Sequence, residues 1–469
     1  MRPSRRFLLA LLVASASALA RPQAAADAGD DAFEPTATAP MARGTWRSLG
    51  YGYVLDVTPD GPQLYHQQGQ LCFRDPRGAD PDAQFGEFRP FAQRLAQFQR
   101  DARSTAYWFE WLPRLPEACR RTSALQPLEL FDFVTGTFDL YDPALDRRAP
   151  RWSSLAATAR ARVAAEPTEA RLATELAALL GGVDDPHVDF EARVDGQPYV
   201  AQPGDSPTMR RVRQRAGADE DTGAAEREWG SRYRKGIAES ILQGSGHADA
   251  NDRIYWGRVG DIGYLNVMTM GGFGGDDEAA DLAILGRVLE RVLTAFAPCR
   301  AVVVDVSNNR GGHDSVSRAI AARFARRPFF AYSKQGTGVA LPPFAFHIDP
   351  AEGARYTGPV YLVTSDITVG AGETFVLAMR SLPNVQQVGQ PTRGALSEQL
   401  QKPLPNGWTL ALSAEVYRDA RGRSPEVTGI APQRPLVVFP AEDLENGHAR
   451  VLKAFIASLR VPLFRRGRP

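Results

Sequence analysis

The residues of this chain best suited to chemistry gather in four short segments. In Leu180-Gly181-Gly182-Val183-Asp184-Asp185-Pro186-His187-Val188 a histidine follows two carboxylates. Asp305-Val306-Ser307-Asn308-Asn309-Arg310-Gly311-Gly312 directly follows the apolar run Ala301 to Val304. Paired glycines at such a place let backbone N–H groups face an oxyanion. In the third segment, Val360-Tyr361-Leu362-Val363 leads into Thr364-Ser365-Asp366-Ile367-Thr368-Val369-Gly370-Ala371-Gly372-Glu373, and then into a helical face of Phe375, Ala378, Met379 and Leu382. A strand, a sharp turn and a helix put residue 370 at a helix N-terminus. A nucleophile would be exposed there, and free N–H groups and the helix dipole stabilise developing negative charge. Read alone, the same segment is an ordinary turn that needs glycine for its backbone angles. The fourth segment is Glu426-Val427-Thr428-Gly429-Ile430-Ala431-Pro432.

Together, and in this order, the segments resemble the tail-specific or C-terminal processing peptidase family of serine peptidases, in its lysine-free branch related to the tricorn core. The resemblance covers roughly residues 125 to 440. Asp261-Ile262-Gly263-Tyr264-Leu265 is similar to the Gly-Tyr strand that opens the family's core, and Asp305 to Gly312 to its oxyanion segment. Gly370 to Glu373 is similar to its Ser-Ala-x-Glu nucleophile segment, and Val388-Gly389-Gln390-Pro391-Thr392-Arg393-Gly394 to the stretch next after that segment. The resemblance implies an α/β fold with a crotonase-like core of strands and helices, and acyl transfer on a peptide or protein substrate. His187 would be the general base, Glu426 the acidic group that completes the charge network behind it, and Gly311 or Gly312 with the N–H of Ala371 would hold the oxyanion. No metal and no cofactor is implied.

The departures from the family are local. Gly370 stands at the nucleophile and has no side chain to attack with. Ser307 replaces the arginine of the oxyanion segment, and Pro186 a frequent glycine. Ala395 takes the place of the base in the family's serine and lysine branch, which closes that mechanism, and Lys402 lies too far along to substitute without a register change. The nearest hydroxyls are Thr368 and Ser365, and Thr368 is expected to point along the strand end, away from the helix N-terminus. Two functions are carried forward: a serine-type peptidase cleaving peptides or unfolded protein C-termini in the cell envelope, and a catalytically inactive peptide-binding homologue. A third is an adapter that binds through its N-terminal region.

Other chemical readings are weaker. Asp184, Asp185, His187 and Asp189 contain metal-ligating types, but successive residues of a turn rarely converge on one ion. His313 reads as a solvated loop residue. Gly271 to Gly275 resembles a phosphate loop until Asp276, Asp277 and Glu278 come after it, and three acids there would repel a phosphate, so a turn with an N-cap is expected.

The elements that must hold these segments emerge from composition and periodicity. The 469 residues are 43% apolar, enough for two or three cores. Lys+Arg 55 against Asp+Glu 54 gives no field to draw nucleic acid or an anionic membrane. Residues 1–26 read as a secretory signal, with Arg2, Arg5 and Arg6 before an apolar run from Phe7 to Val13 that is too short to anchor, and with cleavage after Ala20 or Ala26. A periplasmic or secreted protein is therefore expected, with no membrane span after cleavage. Residues 27–43 read as a linker and 44–127 as a small β-rich domain, with Trp46, Tyr51 and Tyr53 in its packing. Residues 128–190 read as helices carrying the histidine segment, 191–256 as a connection that is either mobile or an ordered lid, and 257–469 as the core. In the core's first helix Leu282, Leu285, Val288, Leu289, Val292 and Phe296 keep the helical period. Cys72 and Cys119 are expected to pair, and Cys299 to be a buried, inert thiol.

Overall fold

The computed structural model describes residues 43–460 apart from 79–80, 93, 102–103, 122–123 and 216–221. The expected signal segment, and all of the linker but residue 43, lie outside the described residues. Seven antiparallel strands come first: β1 (Gly44–Ser48), β2 (Tyr53–Thr58), β3 (Gly61–Gln68), β4 (Leu71–Arg74), β5 (Glu87–Ala92), β6 (Leu95–Gln99) and β7 (Tyr107–Leu112), in the spatial order β4-β3-β2-β1-β7-β6-β5. A disulfide joins Cys72 to Cys119, and Cys299 is free and buried. Trp46, Tyr51 and Tyr53 are all buried in this sheet's packing.

Helices Pro127–Tyr141, Trp152–Ala165 and Glu169–Leu180 come next, then the hairpin of β8 (Asp189–Val194) and β9 (Gln197–Ala201). The chain continues through β10 (His247–Asp249), β11 (Ile254–Val259), β12 (Ile262–Val267), β13 (Ala301–Asp305), β14 (Phe329–Gly336), β15 (Phe344–Ile348), β16 (Val360–Thr364) and β17 (Val385–Gly389). It ends with β18 (Gln399–Gln401), β19 (Thr409–Ser413), β20 (Glu415–Arg418), the short β21 (Arg434–Pro435) and the helix Gly447–Arg460.

The central sheet runs β10-β11-β12-β13-β16-β17-β21 and is parallel from β12 onward. Its strands are continuous apolar runs because both faces are covered. Alternate residues of β13 go to opposite sides: Val302 and Val304 join the cluster under helices Glu278–Phe296 and Ala371–Arg380, while Ala301 and Val303 join the cluster under the C-terminal helix. Of the six periodic residues in Glu278–Phe296 all are buried except Leu282, which is partly buried. Each such side chain contributes about 1.5–3 kcal/mol by leaving water.

The packing divides the chain differently from the composition. Leu64, Phe98 and Phe109 of the first sheet share one core with Phe131 and Leu176 of the helices, with Phe190 of β8 and with Leu410 of β19. The boundaries at 127/128 and 190/191 therefore cut through a core, and β18 and β19 of the expected 257–469 unit pair with β8 and β9 instead of the central sheet. Amphipathicity explains this, since neither the first sheet nor the helices can bury an apolar face alone. Residues 191–256 are packed where described, and Trp229, Tyr233, Ile237 and Ile241 lie against Phe439 and Leu452. Among the described residues no helix is long and apolar enough to cross a membrane.

Candidate active site

Gly370 ends the link from β16 to the helix Ala371–Arg380 at φ 56°, ψ −123°, a conformation that strains any residue with a Cβ. Three contacts fix the turn. Gly370 N–H donates to Ala395 O at 2.9 Å, and Val369 N–H to Asn309 O at 3.2 Å. Glu373, one turn into the helix, accepts from Thr392 Oγ1 at 2.5 Å and from the N–H groups of Gly394 and Ala395, each at 2.8 Å. Burial pushes the Glu373 carboxyl up to about 7 despite these donors. Ala395 thus serves the turn through its backbone.

The second segment meets the first at Gly311, whose added Cβ would lie 3.6 Å from Ala371 N and 3.7 Å from Gly370 Cα. Asp305 shapes this loop from the end of β13, accepting from Ser307 N–H at 2.9 Å and from Tyr264 Oη at 2.6 Å, with His448 Nε2 at 2.9 Å. Gly311 N–H is donated to Asn309 Oδ1 at 3.0 Å. Among the described residues no partner is seen for the N–H of Gly312 or of Ala371. Of the alternatives left open by the sequence, Gly311 has its N–H engaged, which leaves Gly312 with Ala371 as the candidate pair for an oxyanion.

His187 faces this turn from the loop between Glu169–Leu180 and β8. A Cβ built on Gly370 would lie 3.5 Å from His187 Nε2. A serine there would bring its hydroxyl within hydrogen-bond reach of the ring. On the other side of the ring, Nδ1 lies 3.5 Å from Asp185 Oδ1 and 3.4 Å from Ser413 Oγ, and the His187 N–H donates to Asp185 Oδ1 at 3.0 Å. Asp185 is fully buried. Burial alone would raise its carboxyl, but the Arg148 guanidinium and the His187 contacts outweigh that and hold it well below the carboxylate range.

Glu426 lies in the charge network behind His187 without touching the ring. It pairs with Arg148 Nη2 and accepts from Leu396 N–H at 3.3 Å, while Arg148 Nη1 lies 2.7 Å from Asp185 Oδ2. The carboxylate that orients the ring is Asp185, and Glu426 is one cation further back. The spacing has a physical reason: two carboxylates side by side in a dry interior need a cation between them. Burial, with Asp185 and Glu373 nearby, pushes the Glu426 carboxyl up to about 7 against the pull of Arg148. Sequence reasoning does not find Arg148, Asp142 at 3.7 Å from it, or Ser413, since each comes from an element distant in sequence. The Asp-x-His spacing is the one local signal for Asp185.

The nearby hydroxyls are engaged elsewhere. Thr368 Oγ1 donates to Val306 O at 2.8 Å, Ser365 Oγ donates to Ser307 O at 2.5 Å, and both residues are fully buried. The expected direction of Thr368, away from the helix N-terminus, agrees with this. The acids of metal-ligating type also diverge: Asp184 pairs with Arg393, Asp189 accepts from Gln202, and Asp185 serves His187 and Arg148. The N–H groups of Gly272, Phe273 and Gly275 are spent on the Asp281 carboxylate at 2.6–3.0 Å, and Asp277 caps the helix Glu278–Phe296. His313 is half exposed at the rim.

Gly370, His187, Gly311 and Gly312 line a cleft of about 720 Å³. Its opposite wall is the first sheet and its loops, through Arg100, Ser104, Thr105 and Tyr107. Thr105 Oγ1 donates to Glu398 at 2.8 Å, and Lys334 Nζ lies 3.1 Å from the same carboxylate, so the two halves of the molecule meet in the cleft.

Residues 261–436 match the model of peptidase family S41. No curated protein sequence matches the chain. Among solved structures, a protein described as a candidate peptidase from Parabacteroides merdae is 20% identical over 72% of this chain and 98% of its own, with a TM-score of 0.54. Mature CPAF complexed with lactacystin is 14% identical over 71% of this chain and 98% of its own, with a TM-score of 0.50. At these identities the structures speak for the fold. The matched region is an α/β core similar to that of the S41 peptidases.

Proposed function

We propose that this chain is an exported peptide-binding homologue of the C-terminal processing peptidases, which receives peptides or unfolded protein C-termini in the cleft beside His187 and forms no acyl-enzyme. One observation carries the reading. The position facing His187 Nε2 at 3.5 Å belongs to a glycine, while the nearest hydroxyls of the same turn, on Thr368 and Ser365, are buried and bonded to carbonyls. His187 as base, Asp185 as its orienting carboxylate, and Gly312 with Ala371 as oxyanion donors complete a peptidase layout lacking only the attacking atom. The apolar segment at the N-terminus and the disulfide support an oxidising compartment outside the cytoplasm.

The test is labelling by a serine-directed fluorophosphonate. The natural chain should stay unlabelled. Gly370→Ser should label, and Gly370→Ser with His187→Ala should label at least about a hundredfold more slowly, since a positioned base supplies that much. Labelling of the natural chain that disappears in Thr368→Ala would replace this reading with that of an active peptidase.

A further inference from the structure

We propose that the cleft hydrolyses activated esters directly with water, His187 acting as general base on the water itself, an activity that rests on the base and oxyanion assignments above. The space a side chain of residue 370 would take is bounded by His187 Nε2 at 3.5 Å and Gly311 Cα at 3.8 Å from the Cβ position. Apart from Gly370 and its chain neighbours, no other heavy atom comes within 4 Å of that point. Serine would fill this space with its CH₂OH group, whereas glycine leaves it open to the cleft, with room for one water molecule. A water there lies beside His187 Nε2 and Gly311, next in the chain to Gly312, and next to Ala371; the N–H groups of Gly312 and Ala371 have no partner among the described residues.

The step is balanced without any other reactant. The water oxygen bonds to the acyl carbon as His187 Nε2 takes one of its protons, and the carbonyl electrons move onto oxygen between the two N–H groups. That oxyanion then collapses, the bond to the alcohol oxygen breaks, and the alcohol leaves with the proton from the imidazolium. A phenolate leaves without it, and the proton passes to solvent. Asp185, 3.5 Å from Nδ1, stabilises the imidazolium that forms in between. An amide nitrogen is a much poorer leaving group, so peptides bound in the cleft persist while activated esters turn over.

The experiment uses the full exported chain with p-nitrophenyl acetate, followed from the first turnover and by intact mass. Steady hydrolysis is expected with no burst and no acetyl adduct, at roughly 10³-fold above the uncatalysed rate, the residue left to such sites without their nucleophile. His187→Ala and the more conservative His187→Gln should each lose about a hundredfold. A natural-chain rate equal to that of His187→Ala, with Gly370→Ser still labelled by fluorophosphonate, overturns the water mechanism and leaves the binding reading standing. An acetyl adduct on the natural chain overturns both, because it reveals a nucleophile. Failure of Gly370→Ser to label overturns the site assignment beneath both.

Discussion

The two sides of the cleft differ in what they retain. On the turn side, β16, Gly370 and the helix Ala371–Arg380 form the sharp strand-to-helix turn of the proposed nucleophile position, and residue 370 presents no side chain. On the base side, His187 is backed by Asp185, Arg148 and Glu426, all at most 4% exposed. The difference separates two costs. A glycine at a left-handed position relaxes the backbone, so the turn side is more stable without its chemistry. Three carboxylates around one buried guanidinium cost desolvation energy whether or not chemistry occurs, so the base side makes no such gain.

Removing the cation should break this comparison most severely. Arg148→Met keeps most of the side-chain volume and leaves Asp142, Asp185 and Glu426 buried without their shared partner. A loss of about 3–5 kcal/mol in unfolding free energy is expected from urea melts. In a Gly370→Ser background the same change should also slow fluorophosphonate labelling, because Asp185 would no longer stay ionised to orient His187. A loss below about 1 kcal/mol would show that water reaches the network and that the two sides do not differ in cost.

The titration of Glu426 sharpens the comparison at smaller scale. Its carboxyl sits at about 7 in the folded protein, above the ordinary glutamate value. A carboxyl raised in this way holds its proton more tightly folded than unfolded. Its contribution is therefore full below about pH 4.3, the unfolded value, and is lost as pH rises through about 7. The natural chain should lose up to roughly 4 kcal/mol over that window from this group, at about 1.4 kcal/mol per pH unit. Glu426→Gln should remove about 2–3 kcal/mol of the difference between the stabilities at pH 5 and pH 8, read from urea midpoints. Glu373 and Glu415, also near 7, remain in both proteins, so the difference between the two slopes isolates Glu426. Equal slopes would mean that Arg148 keeps Glu426 ionised throughout.

The sequence made the two sides legible to different degrees. The turn side is continuous in sequence, so Gly370, Ala371, Glu373 and the pair Gly311-Gly312 stood out as motifs, and the structure brings them together. The fold of the core was legible for the same reason, since a strand buried on both faces must be an unbroken apolar run such as Ala301 to Val304. The base side is assembled across the chain. Arg148 ends a four-residue helical turn and reaches Asp185, Glu426 and the carbonyl of Gly394, and nothing in its neighbours announces those contacts. The cleft's far wall was hidden likewise, because Lys334 and Glu398 meet Thr105 only once the first sheet docks on the core. Local pattern shows where backbone must turn, while the partners of a buried charge depend on tertiary packing.

Gly370→Ala carries the smallest expected effect and tests the turn side's half of the comparison. The added Cβ would sit at ordinary contact distance from His187 Nε2 and Gly311 Cα, 3.5 and 3.8 Å, so no clash contributes. What remains is the cost of holding an L-residue at φ 56°, about 1–3 kcal/mol, reduced by the lower entropy of alanine in the unfolded chain to a net loss of about 1–2 kcal/mol. Gly311→Ala makes the contrast. Its φ is 80° and its Cβ would stand 3.1 Å from Val369 O, so it should lose more by adding crowding to strain. If Gly370→Ala proved neutral, the turn would be relaxed for any residue. The absence of a side chain at 370 would then have no stabilising consequence, and the two sides of the cleft would differ in chemistry alone.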